Sequence, residues 1–154
     1  GKHKITELAR LEGTFKSCND RLLAVNEIFV GSSQPHHTSR YILQVGSKKE
    51  FQKSSGVIVA TPAGSHAWAK SAGAKPLPLN SKKFIYIVRE PYVGRLSKPK
   101  LTFGILGAKQ KIKVVSQIHN GIAVADSSNK AHKFRDGDVI EIRKSNQPLR
   151  MVDF

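Results

Sequence analysis

Cysteine occurs once in the 154 residues, as Cys18, and methionine and tryptophan also occur once each, as Met151 and Trp68. A single sulfur permits no internal disulfide and cannot by itself build a thiolate cage for a metal. The expected setting is therefore reducing and intracellular, in the cytoplasm. Long apolar runs are missing: the longest, such as Phe84–Val88, extend for about five residues, far short of a bilayer span, and no membrane association is expected. No signal-peptide pattern is present. Residue 1 is Gly rather than Met, which implies a trimmed chain or a piece of a longer one. There is no Gly-Gly pair, no GxGxxG and no GxxxxGK[ST]. Phosphoryl transfer needs a backbone or cation clamp on the donor phosphates and a positioned acid or base, and neither is visible.

Acidic residues are also few. Eleven Asp+Glu stand against 26 Lys+Arg, a net charge of +15. Such a surplus points to an anionic partner: a nucleic acid, an acidic membrane surface or a phosphorylated small molecule. The basic residues are spread along the chain. Lys109, Lys111 and Lys113 alternate and could line one face of a strand. Aromatic residues are only 7% of the chain and do not cluster with the lysines, which weakens a nucleic-acid reading.

What is present reads as short strands divided by turn signals. Candidates are Leu22–Val30, Arg40–Val45, Glu50–Lys53, Gly56–Ala60, Phe84–Val88, Lys111–Ile118, Ile122–Ala125, Val139–Arg143 and Leu149–Val152. A four-residue hairpin turn is expected at Gly46–Lys49 and a tight turn at Asn120-Gly121. The helical candidates are Ser65–Gly73, with Ser65 capping its first turn, and a short turn near Ile5–Leu11. The expected fold is mainly β, a β-sandwich-like single domain of about nine strands with one short helix.

Two stretches carry chemistry. In Ser54–Gly73 a strand runs through Thr61-Pro62-Ala63-Gly64-Ser65 into a helix. Small residues there let a ligand approach the main chain, and free N–H groups at a helix start favour anions. Trp68 offers a flat ring and Ser71 a hydroxyl one turn later. An ordinary strand–turn–helix with Trp68 in the core is the competing reading. Asn26-Glu27 lies inside an apolar strand, where two polar residues are costly to bury without hydrogen bonds. They suit a ribose or an adenine edge, unless the strand simply ends near Val25. The histidines show no metal-ligand spacing, and structural or solvated roles are expected for all but His66, which lies in the cradle.

AVNEIFVG around Asn26-Glu27, then Ser54-Ser55-Gly56, then TPAGSHAW over 61–68, Val88-Arg89-Glu90-Pro91 and Phe134–Asp138 together resemble the NAD kinase family, in order and spacing. The similarity runs from about Leu11 to the end and is greatest to the mitochondrial-type branch. It implies the carboxyl-terminal, NAD-binding domain of a kinase that moves a phosphoryl group from ATP, or polyphosphate, to the adenosine-ribose 2′-hydroxyl of NAD, giving NADP. ATP and Mg2+ are implied only for the complete enzyme. The family's α/β amino-terminal domain, whose GGDG motif holds phosphate and supplies the base, has no counterpart here. No catalytic residue and no metal ligand are therefore expected in this chain, which alone would be inactive.

The resemblance assigns NAD contacts to Asn26, Glu27, Ser55, Thr61, Ala63, His66, Ala67, Trp68 and Ser71. Asn26 and Glu27 would grip the adenosine part. Trp68, where bacterial members have Tyr, would stack on a ring. His66 stands where Thr is common, and Ala63 where a small hydroxyl residue is often found. Ser55 stands where bacterial members have Asp, though the mitochondrial-type branch also has Ser. A homo-oligomer, dimer or tetramer, is also implied. The alternatives are a basic nucleic-acid-binding β module and a domain related to lipid kinases.

Overall fold

A computed structural model describes residues 3–153 and shows two facing β-sheets with a small third one at the edge. The first sheet has the order β3-β2-β13-β10-β5-β6. Its strands are β2 (Leu11–Phe15), β3 (Arg21–Ala24), β5 (Ser39–Val45), β6 (Lys48–Ser54), β10 (Lys111–Ser116) and β13 (Val139–Lys144). The second has the order β12-β11-β4-β7-β8-β9. It comprises β4 (Glu27–Ser32), β7 (Gly56–Ala60), β8 (Phe84–Arg89), β9 (Phe103–Leu106), β11 (Gly121–Ala125) and β12 (His132–Phe134). β1 (Lys4–Leu8) pairs with β14 (Leu149–Asp153), and every pairing is antiparallel. The mainly β, sandwich-like expectation holds.

Side chains alternate across each sheet, so one face of both meets in a shared core. Leu11, Leu43, Ile112, Val114 and Ile140 from the first sheet pack against Ile28, Val30, Val57, Val59 and Phe84 from the second. The outer face of the second sheet is also buried. Phe29, Ile58, Ala60, Ile85 and Ile87 point away from the shared core and pack under Ala69, Ala74 and Leu77.

Several local expectations are corrected. Fourteen strands are described rather than about nine. Leu22–Val30 is not one strand: it breaks at Val25-Asn26 and supplies β3 to one sheet and β4 to the other. The alternative reading, a strand that ends near Val25, is the one that holds; the apolar run could not show that its two halves enter different sheets. Residues Ile5–Leu11 are extended rather than helical, since β1 is held by its pairing with β14 at the far end of the chain, from Lys4 against Asp153 to Leu8 against Leu149. The hairpin turn contracts to Gly46-Ser47, with Val45 paired to Lys48. A turn does form at His119-Asn120, directly before Gly121, but it links strands of different sheets rather than a hairpin. Gly121 is needed for another reason: a Cβ there would overlap the Phe134 carbonyl on β12. Lys109 precedes β10, so only Lys111 and Lys113 share a strand face, and Lys111 Nζ lies 3.1 Å from Glu141 Oε2.

The helix is also shorter than expected. A 3-10 turn at Gly64–His66 leads into α1 (Trp68–Ser71), a single α-helical turn. Ser65 does not cap it: its hydroxyl donates to the Pro62 carbonyl at 2.6 Å and accepts the Leu77 N–H at 2.8 Å.

Candidate functional site

The site is built on the corner between the sheets. As the chain turns from β3 into β4, three successive N–H groups are left without a strand partner. One carboxylate takes all three. Asp126 Oδ2 accepts from Val25 at 2.8 Å, and Oδ1 accepts from Asn26 at 2.7 Å and Glu27 at 3.2 Å. Asp126 holds this pose with φ of 52°, and its own N–H donates to the Glu27 carbonyl at 3.0 Å.

The turn after β7 docks on the same corner. The Thr61 hydroxyl donates to the Val25 carbonyl at 2.5 Å and accepts the Gly64 N–H at 3.0 Å, while the Thr61 N–H donates to the Asn26 carbonyl at 2.9 Å. Thr61, rather than Ser65, therefore shapes the turn. Gly64 lies so close to Asn26 that a Cβ would overlap the Asn26 carbonyl, so glycine is the residue that permits this approach. His66 Nε2 lies 2.8 Å from the Leu77 carbonyl, which fixes it as the donor nitrogen.

Glu27 is the unusual group. The residue is 4% exposed, yet its Oε2 has no hydrogen-bond partner, the one such buried side-chain atom among the described residues. Burial, and then the neighbouring Asp126 carboxylate, push its acid strength down, so its pKa lies above the usual carboxylate value. By strand alternation Glu27 shares the outer face of its sheet with Phe29, the face covered by α1.

The nine residues assigned by resemblance fall into two groups. Asn26, Glu27, Thr61 and Ala63 meet at the C-terminal end of β7. Ser55 lies at its other end, beyond a strand that spans roughly 17 Å at the usual rise. Ser55 opens onto a cleft of about 260 Å³ that Phe29, Trp68 and Arg89 also line. Trp68 lies between the groups. Its ring is 5.1 Å from the Phe29 ring, and the Arg89 guanidinium carbon stands 5.2 Å from the Trp68 centroid. His66, Ala67 and Ser71 are exposed along the turn and α1. Asp126 and Arg89 were not singled out as functional from the sequence. Arg89 belongs to the Val88–Pro91 segment that carries part of the family resemblance, whereas nothing in the order of residues marks Asp126 as the anchor of a corner 100 positions away.

Residues 25–154 match the ATP-NAD kinase C-terminal domain family. The chain belongs to that family. Among curated relatives of this NAD kinase-type domain, a "Probable NADH kinase" of Oryza sativa is 30% identical over 158 residues, covering 99% of this chain and 49% of the relative. An NAD kinase of Thermoplasma acidophilum is 27% identical, covering 100% of this chain and 55% of the relative. The chain thus spans about half the length of the curated relatives it matches. A crystal structure of an NAD kinase from Archaeoglobus fulgidus in complex with ATP superposes with a TM-score of 0.77 at 30% identity, over 96% of this chain and 55% of that one. Yeast NADH kinase complexed with NADH shares the fold, with a TM-score of 0.80 at 21% identity, over 99% of this chain and 45% of that one. No helix among the described residues is long and apolar enough to cross a membrane.

Proposed function

We propose that this chain is the dinucleotide seat of an NAD kinase, holding NAD while a phosphoryl group passes from ATP to its adenosine-ribose 2′-hydroxyl. The observation that carries the reading is the buried, unpartnered Glu27 oxygen beside Asn26. A carboxylate oxygen left without a donor is costly, and a ribose hydroxyl or adenine amino group would supply one. Asn26 adds a donor and an acceptor. Trp68 and the exposed edge of the turn, with Ala63, His66, Ala67 and Ser71, provide flat and small surfaces for rings. The separation between the Glu27 group and Ser55 suits an extended ligand with two ends.

The chain holds the acceptor but no visible clamp for the donor. In this reading a companion α/β domain with the GGDG motif supplies the phosphate grip and the base, and residues 1–154 alone do not phosphorylate NAD. Mg2+ would belong to the complete enzyme. The only group of three metal-capable side chains among the described residues contains a thiol and an imidazole, whereas Mg2+ takes oxygen ligands, so no step through Mg2+ is assigned to this chain. We place the protein in the cytoplasm. We also expect a homo-oligomer through the edge strand β9, which leaves Phe103 and Ile105 exposed.

Calorimetric titration of NAD at near-physiological salt tests the seat, with a short DNA duplex as the competing titrant. Saturable NAD binding is expected, weakened about tenfold to a hundredfold by Glu27→Gln, the range for loss of a hydrogen bond to a charged group. No heat with NAD and tight, salt-resistant binding of DNA would overturn the reading.

A further inference from the structure

We propose that Cys18, Asp20 and His132 form a binding site for a zinc-like divalent cation, clipping together the two sheets at one edge of the sandwich. Cys18 and Asp20 lie in the loop between β2 and β3. His132 opens β12, an edge strand of the opposite sheet. Cys18 Sγ is 3.7 Å from His132 Nε2, Asp20 Oδ2 is 3.3 Å from the same nitrogen, and all three atoms lie within 4.8 Å of one another.

Three features favour a metal over a hydrogen-bonded cluster or a catalytic triad. The first is convergence. In a nucleophilic triad the carboxylate orients the imidazole through the nitrogen that the nucleophile does not use. Here thiol and carboxylate both face Nε2, so no relay can run through the ring.

The second is spacing. A tetrahedral zinc ion with its usual bond lengths sets ligand edges of about 3.6 Å for sulfur to nitrogen and about 3.3 Å for oxygen to nitrogen. The two measured separations from Nε2 follow those edges, and the second is long for a charge-assisted hydrogen bond. The remaining sulfur-to-oxygen edge closes by rotation of the Asp20 side chain, which is 73% exposed.

The third is preparation of the imidazole. His132 Nδ1 lies 2.7 Å from the Lys133 carbonyl, which can only accept, so Nδ1 carries a proton and Nε2 is the nitrogen left to take a metal. Metal-binding histidines are held in this way. The ring is also stacked on Phe15, with centroids 3.8 Å apart and planes 16° from parallel. One thiolate, one imidazole and one carboxylate are a borderline-soft set that suits zinc, with water completing the fourth position. On binding, the Cys18 S–H bond breaks as the sulfur–metal bond forms, and the proton passes to the buffer. The sequence could not disclose this set, because 114 positions separate Cys18 from His132.

The test is titration of the full 154-residue chain with zinc chloride against a chromophoric chelator, followed by cobalt(II) substitution. One zinc per chain is expected, with a thiolate-to-cobalt charge-transfer band and the visible absorption of a four-coordinate ion. Cys18→Ser should remove the charge-transfer band and weaken zinc about a hundredfold, and Asp20→Asn should weaken it about tenfold. Both positions are on a surface loop, so these variants should remain folded. Zinc should raise the unfolding temperature of the parent chain and leave that of Cys18→Ser unchanged. Absence of tight binding, or binding that survives both Cys18→Ser and His132→Gln, would overturn the proposal and assign any uptake to other histidines.

Discussion

The two six-stranded sheets differ in what lies on their outer faces. In β10 and β13 of the first sheet, buried residues alternate with more exposed ones, because water lies on the far side. In β4, β7 and β8 of the second sheet, five consecutive residues are buried, because the turn after β7, α1 and the segment to Leu77 cover the outer face. The sheets also treat buried polar groups differently. In the first, Tyr41 donates to Gln52 at 3.1 Å and shares a 2.6 Å hydrogen bond with Ser54, and Gln52 donates to the Leu101 carbonyl at 2.9 Å. In the second, Glu27 keeps one oxygen unpartnered. The satisfied network reads as structure, and the unsatisfied group, under a covered face, as a place for a ligand.

The largest expected effect separates the two outer faces directly. Ile58→Ala empties a fully buried position under the covering segment and should cost about 3 kcal/mol in urea unfolding. Phe51→Ala, at a position 50% exposed on β6, should stay within about 0.5 kcal/mol. Equal losses would break the comparison.

Next comes the corner that joins the sheets. Asp126→Ala strands three N–H donors and should cost about 2 kcal/mol, with a parallel loss of NAD affinity as Asn26 and Glu27 move. Retained affinity at reduced stability would show that the site does not depend on the corner's pose.

A smaller effect is expected in the satisfied network. Tyr41→Phe removes a buried hydroxyl and should cost about 1 kcal/mol, without altering NAD binding.

The last prediction is a slope. Because the pKa of Glu27 is raised in the folded chain, the native state holds its proton more tightly than the unfolded chain does. This contribution to stability is present at low pH and falls as pH rises from the unfolded value of 4.5 through the raised one. Melting temperatures of the parent chain should therefore fall relative to Glu27→Gln across that interval. Parallel profiles would mean that Glu27 is not held against its charge.

The order of residues alone determined much of this protein. Period-2 patterning defined a β fold, GVIVA at 56–60 and FIYIV at 84–88 marked the central buried strands, and the spaced motifs around Asn26, Ser55 and Trp68 indicated the family. Local chemistry suffices for these because each depends on neighbours in sequence. The corner at Val25-Asn26, the anchoring by Asp126, the unpartnered state of Glu27 and the meeting of Cys18 with His132 were decided only by the tertiary structure. Each depends on contacts between strands far apart in the chain, and whether a polar group is buried with or without a partner is settled only when the sheets close on one another.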